Sequence, residues 1–328
     1  MNNISVIGAG SWGSALAQVA ASNGDVTLWT RSSEHASQIN AAHSNEKYLA
    51  GIKLSDRINA SSELKIAMQS DILLIVTPAQ AMRQVLGDMK PFIRPEHILV
   101  LCSKGIEISS GKLMSDVVKE ILPNTPIAIL SGPNFAHEIA TGKPAATTLA
   151  CEGKEIALTL QKAVASAKFR PYISSDIIGA QIAGALKNII AIACGIAHGL
   201  DMGESARASL VTRGLAEISR LGVAMGASQG TFLGLCGVGD MMLTCSSEKS
   251  RNFSLGYELG QGKTLAQILE SRQNVTEGVH TAEAAISLAN KYNVEMPISL
   301  AVHKCLNKGL PLKQAMQEML TRPLGDEF

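Results

Sequence analysis

The chain has 328 residues, 46% hydrophobic and 17% charged, with a net charge of +1. That length supports two domains with their own cores, and that composition excludes a disordered chain. The near-neutral balance gives no case for nucleic acid or an anionic membrane surface as the main partner, so attraction for anionic ligands must be local.

The first predicted strand, Ile4–Ile7, leads into Gly8-Ala9-Gly10-Ser11-Trp12-Gly13 and then a helical pattern carried by Ala15, Leu16, Val19 and Ala20. Strand, G-x-G-x-x-G and helix in that order predict a dinucleotide site. Gly8 permits the tight turn, Gly10 lets a pyrophosphate approach the backbone, and Gly13 lets the helix pack closely. The helix N-terminus aims free N–H groups at the phosphates. A second strand at Val26–Trp29 exits at Thr30-Arg31-Ser32-Ser33. NAD sites usually carry a carboxylate at this point, whereas the Arg31 guanidinium suits a 2′-phosphate, so NADP(H) is expected beside NAD(H).

A helix is predicted over Ser32–Ala41 and a polar loop from there to about Ser61. Strands follow at Ile72–Val76, Ile98–Leu101, Ile127–Leu130, Ala146–Ala150 and, at an edge, Phe169–Ile173. Helices are predicted at Ala79–Met89 and Glu155–Ala165. Alternation of this kind predicts an α/β Rossmann-type fold with a doubly wound, mainly parallel sheet. Lys104 and the Ser131–Ala136 turn both fall at carboxyl ends of strands, the edge where ligands bind in open α/β sheets. Beyond Ser174 the pattern is helical: Asp176–Ala197, Glu204–Met225, Gly239–Cys245, Phe253–Leu259, Leu265–Glu270, Thr281–Lys291, Ile298–Asn307 and Leu312–Leu320. The reading is a dinucleotide-binding domain over residues 1–173 and an all-α C-terminal domain over 174–328.

The N-terminus enters a strand at once, without a signal-peptide pattern. The longest apolar stretch, Ile189 to Leu200, is read as too short to span a bilayer. Cys102, Cys151, Cys194, Cys236, Cys245 and Cys305 form no C-x-x-C pair. They are read as buried free thiols in a reducing cytoplasm. No metal site is expected.

Lys187 and Asn188 interrupt an otherwise apolar helix. A buried amine has a depressed pKa and can serve as acid or base near neutral pH. Asp240 opens a helix with Thr244 one turn on, which suits either an N-cap or a functional carboxylate. Ser250-Arg251-Asn252 combines a hydroxyl, a guanidinium and a helix N-terminus, donors suited to phosphate.

In order, G-x-G-S-W-G, S-K-G at Ser103–Gly105, S-G-P-x-F-A at Ser131–Ala136, L-K-N at Leu186–Asn188, G-x-G-D-x-x-x-T-C at Gly237–Cys245, S-R-N at Ser250–Asn252 and V-x-E-G at Val275–Gly278 closely resemble the bacterial NAD(P)-dependent glycerol-3-phosphate dehydrogenase family. The resemblance runs to about residue 320. It implies reduction of dihydroxyacetone phosphate to sn-glycerol 3-phosphate, a phospholipid precursor, in the cytoplasm. By the same resemblance Ser11, Trp12, Arg31, Tyr48, Ala136, Val275 and Glu277 match NADPH contacts, and Lys104 matches a contact to cofactor and substrate. Gly132, Asn134, Asp240, Ser250, Arg251 and Asn252 match substrate positions, with Arg251 also near cofactor. Lys187 matches the proton donor and acceptor, flanked by Lys104 and Asp240. Asn134 departs from the Ser or Thr that bacterial members often carry. The apolar share of the helical region is compatible with a homodimer. Two alternatives stay open: another two-domain reductase of the 3-hydroxyacid or 6-phosphogluconate type, and a non-catalytic NADP(H)-binding regulator.

Overall fold

The computed structural model describes residues 3–270 and 277–324. Strands β1 (Ile4–Ile7), β2 (Val26–Trp29), β5 (Ile58–Ser61), β6 (Ile72–Ile75), β7 (Ile98–Leu101), β8 (Ile127–Ser131), β9 (Ala145–Ala150) and β10 (Phe169–Ser174) form one sheet. The order is β10-β9-β8-β7-β6-β1-β2-β5, parallel except at β8–β9. Strands β1 and β6 are fully buried and apolar but for Ser5, as a strand covered on both faces requires. The chain winds outward from β1 in both directions, so the switch of direction lies at β1–β6. That is where an open α/β sheet binds its ligand.

Helices α1 (Ser11–Ala20), α2 (Ser33–Ala42), α4 (Met82–Met89), α5 (Met114–Ile121) and α7 (Lys154–Val164), with the short α3 (Leu64–Ala67) and α6 (Ala136–Ala140), accompany the sheet. Two apolar clusters form, one including Val6, Leu28 and Leu74, the other Ile7, Leu73 and Ile75, as alternating side chains of the same strands demand. The expected polar loop after the second helix is not a loop throughout. It holds the hairpin strands β3 (Ser44–Asn45) and β4 (Leu49–Lys53) and then β5, the sheet's edge. Only Ile58 and Ala60 of β5 are buried, too few apolar positions to stand out in the sequence. The helix expected from Ala79 begins as a 3-10 turn, Ala79–Ala81, before α4.

The remaining described residues are mainly helical: α8 (Ile177–Gly199), α9 (Glu204–Ala224), α10 (Gln229–Phe232), α11 (Asp240–Cys245), α12 (Arg251–Gly260), α13 (Leu265–Glu270), α14 (Glu277–Lys291), α15 (Pro297–Lys308) and α16 (Leu312–Leu320). Asp176 pins the start of α8. Its Oδ1 accepts from Gly179 N at 2.7 Å, and its Oδ2 from Ser228 N at 2.9 Å and Thr231 Oγ1 at 2.6 Å. Contrary to the expectation from the apolar stretch Ile189 to Leu200, α8 is 23 residues long and apolar enough to cross a bilayer. Its surroundings decide instead: 94% of its apolar window is buried inside the protein, so α8 is the core of the helical region. All six cysteines are free; five are buried, and Cys305 is partly exposed.

Candidate active site

The glycine loop folds as its spacing requires. Gly8 has φ +124°, and a Cβ there would lie 2.9 Å from the Val76 carbonyl oxygen. A Cβ on Gly13 would overlap the Gly8 carbonyl, whereas one on Gly10 would meet nothing within 4 Å. The open side of the loop is therefore at Gly10, where α1 begins. Gly8 N donates to Trp29 O at 3.0 Å, which sets the end of β2 beside the loop and places exposed Arg31 two residues beyond it. Ser11 Oγ donates to the backbone oxygen of Tyr48 at 2.5 Å. The Tyr48 ring meets His35 edge-on at 5.6 Å, under the Lys47 ammonium. Tyr48 thus touches the loop through its main chain.

Lys104 and Gly132 meet at the carboxyl edge of the sheet, where Lys104 Nζ donates to Gly132 O at 3.1 Å. The same ammonium donates to Asp240 Oδ2 at 2.7 Å. Lys187, in the middle of α8, pairs with Asp240 Oδ1 and donates to Thr244 Oγ1 at 2.8 Å. One carboxylate, only 1% exposed, therefore holds two ammonium groups from opposite halves of the chain. Asp240 is not acting as an N-cap. A π-turn over Leu235–Gly239 delivers it, and Gly237 is required there because a Cβ would overlap the Phe232 carbonyl. Burial pushes the Lys187 ammonium down to about 8, and the Lys104 charge pushes the same way; Asp240 opposes both. The cluster carries one net positive charge, which favours an anionic substrate.

The helix α12 starts beside this cluster. Ser250 caps it by accepting from Phe253 N at 3.2 Å, and Arg251 stands exposed at its first position. Asn252 Oδ1 accepts from Gly278 N at 3.1 Å. A Cβ on Gly278 would lie 3.1 Å from Asn188 O, so α12, α14 and the Lys187 turn of α8 converge at one level. The amide oxygen of Asn252 thus joins α12 to α14. Val275 lies outside the described residues. Glu277 opens α14, and its side chain lies outside them too.

Among the described residues, buried side-chain polar atoms without a partner in the chain concentrate at this edge. They are Trp12 Nε1, Thr77 Oγ1, Ser131 Oγ, Asn134 Oδ1 and Thr147 Oγ1, with only His303 Nδ1 elsewhere. Buried polar groups ordinarily find partners, so this edge has the donors and acceptors that a polar ligand would complete. Together with the open cradle at Gly10, they fit a nicotinamide dinucleotide. Ala136 opens α6 just beyond Asn134. Asn45 is a residue the sequence reading missed: it donates to Ala9 O at 2.9 Å, inside the glycine loop. Its only signal was an Asn within a segment read as loop.

The model for the N-terminus of NAD-dependent glycerol-3-phosphate dehydrogenase matches residues 3–157, and that for the C-terminus matches residues 176–317. The chain belongs to this family. A glycerol-3-phosphate dehydrogenase [NAD(P)+] from Parvibaculum lavamentivorans is 50% identical over 99% of this chain and 98% of its own. One from Rhodospirillum rubrum is 48% identical over 100% and 94%. The crystal structure of glycerol-3-phosphate dehydrogenase from Coxiella burnetii, 37% identical, superimposes with a TM-score of 0.94 over 98% of this chain and 99% of that one.

Proposed function

We propose that the chain catalyses the reversible NAD(P)H-dependent reduction of dihydroxyacetone phosphate to sn-glycerol 3-phosphate, with Lys187 as the proton donor. The observation that carries this reading is the Lys187–Asp240–Lys104 cluster, in a chain whose two halves both match the family models. The bound cofactor supplies the hydride. Lys187 gives its proton to the substrate's carbonyl oxygen as negative charge develops there, leaving a neutral amine. Asp240 fixes the position of that amine, and Thr244, one turn along α11 on the same face, accepts a second of its hydrogens. Lys104 adds positive potential and keeps the Lys187 proton labile. Arg251, Ser250, Asn252 and the N-terminus of α12 bind the substrate phosphate end, with Asn252 Oδ1 also tying α12 to α14, and Gly132 and Asn134 complete the substrate contacts. Gly8, Gly10, Ser11, Trp12, Gly13, Arg31, Tyr48, Ala136, Val275 and Glu277 make up the cofactor side. The boundary at 173/174 falls at the last residue of β10, just before α8; in this reading the substrate is held between the two domains, and closure over it excludes water. Buried thiols and the small-molecule chemistry support a cytoplasmic enzyme, and we include homodimerisation in the proposal, to be checked by solution mass.

A proton-donor cluster argues against a regulator without catalysis, because sensing needs no buried acid. The test is oxidation of NADPH and NADH with dihydroxyacetone phosphate, set against a panel of 2- and 3-keto acids. Selective turnover of the phosphorylated ketone is expected. Preference for a keto acid, or cofactor binding with no turnover of any substrate, would overturn the proposal.

A further inference from the structure

The hairpin of β3 and β4 is packed onto the glycine loop by hydrogen bonds that leave little freedom. Asn45 is 1% exposed. Its Nδ2 donates to Ala9 O at 2.9 Å and to Ser14 Oγ at 2.7 Å. Its Oδ1 lies 2.9 Å from His35 Nε2, and His35 Nδ1 lies 3.1 Å from Thr30 Oγ1. The amide has spent its hydrogens on Ala9 and Ser14, so Oδ1 must accept. His35 therefore carries its proton on Nε2 and receives one from Thr30 at Nδ1. Three residues on, the Tyr48 carbonyl takes the Ser11 hydroxyl. The left-handed turn at His43 (φ 44°), closed by Leu54 N on His43 O at 2.7 Å, brings the hairpin back from α2 to this position.

We propose that this hairpin is a brace for the glycine loop and that Asn45 is the positioning residue through which it readies the loop for the pyrophosphate of NAD(P)H. A trans peptide points its carbonyl and its following N–H in opposite directions. Holding the Ala9 carbonyl inward against Asn45 therefore turns the Gly10 N–H outward, on the side where a Gly10 Cβ would meet only open space. The Ser14 bond ties the first turn of α1 to the same amide, so the loop and the helix N-terminus are held as one unit. Thr30 extends the chain of bonds to the exit of β2, one residue before Arg31. A preorganised donor set binds without the cost of ordering it at the moment of binding. The proposal rests on the reading of this loop as the cofactor site.

The test measures NADPH and NADH binding by fluorescence titration, with steady-state kinetics and thermal melting on each variant. Asn45→Ala is expected to weaken both cofactors equally, by about tenfold, the scale of losing a hydrogen bond to a buried acceptor. The KM for dihydroxyacetone phosphate should stay within about twofold. Arg31→Asp, in contrast, should weaken NADPH far more than NADH. His35→Leu should weaken both cofactors by a smaller factor, and His35→Gln should restore binding, since its amide nitrogen can donate to Asn45 Oδ1 where Nε2 did. A folded Asn45→Ala protein that binds both cofactors like the wild type, with only a lowered melting point, would overturn the brace. So would equal effects of His35→Leu and His35→Gln. Wild-type protein that binds neither cofactor would instead overturn the reading of the loop.

Discussion

Two glycine-bearing regions of this molecule do opposite things. In the loop after β1, Gly10 leaves room that no part of the protein fills. Between α8 and α12, glycines leave room that the protein fills completely. A Cβ on Gly195 would overlap the Phe253 carbonyl, one on Gly199 the Tyr257 carbonyl, and one on Gly256 the Ile192 carbonyl, while one on Gly260 would lie 2.7 Å from Ile196 O. Both helices space these glycines four apart, so each presents a smooth stripe to the other and their backbones touch. The first set makes a site and the second sets a distance, because α8 carries Lys187 and α12 begins with Arg251. Glycine content alone does not separate the two uses; what would stand in the place of the missing side chain does.

The largest effect should come from the chemistry that the helix seam positions. Lys187→Met keeps the apolar stem and removes the amine. Positioned acid–base groups contribute about 10²–10⁴-fold, so kcat should fall by that factor while NADPH still binds. Lys187→Arg should rescue poorly, since a guanidinium does not release its proton near neutral pH. A Met variant within a few-fold of wild type would move the proton donor elsewhere, with Lys104 the first candidate.

The next effect separates the two glycine sets by stability. Gly195→Ala must push α12 away from α8 or distort a backbone carbonyl, and overpacking of a tight core costs about 1–3 kcal/mol. The denaturation midpoint should drop accordingly, with a rise in KM for dihydroxyacetone phosphate as Arg251 shifts relative to Lys187. Gly10→Ala should do the reverse. Its φ of −77° and ψ of −177° are open to any residue, and the added methyl touches no protein atom. Stability should hold within about 0.5 kcal/mol, as for substitutions away from packed features. The KM for both cofactors should rise, since the methyl stands where the pyrophosphate approaches. Equal loss of stability in the two variants would erase the distinction.

The two regions also differed in legibility. The glycine loop was readable because its meaning is local: a strand, three spaced glycines and a helix lie within a few residues of one another. The Lys187–Asp240–Lys104 cluster joins positions far apart in the chain, and only the ordered motifs of the family brought those residues together before the fold did. The helix seam was not read at all. Gly195 and Gly256 sit inside helical patterns, where a glycine looks like a weak spot until the facing helix is known, and Gly199 and Gly260 fall just past the predicted helix ends. The brace was missed for a related reason. Asn45 stands in a two-residue strand with one polar and one small neighbour, which carries no periodic signal. Tyr48 was picked out by resemblance, but its link to the loop is a backbone carbonyl, which the side chain could not announce.

The smallest effect tests how the cluster sets the proton. Burial holds the Lys187 ammonium at about 8, well below the ordinary lysine value, and Lys104 contributes in the same direction. Ketone reduction needs the ammonium, so kcat/KM for dihydroxyacetone phosphate should be level below that pH and fall above it as one proton is lost. The reverse oxidation needs the free amine and should rise through the same range. Lys104→Met removes a like charge, which favours the ammonium, so the falling limb should move to higher pH by less than about one unit. Asp240→Asn removes an opposite charge, which disfavours the ammonium, so the limb should move to lower pH. Each variant will also lose rate, but the position of the limb is independent of its height. Opposite displacements identify Lys187 as the titrating group between the two charges. Displacement in the same direction, or a limb that survives in Lys187→Met, would assign the proton to another residue.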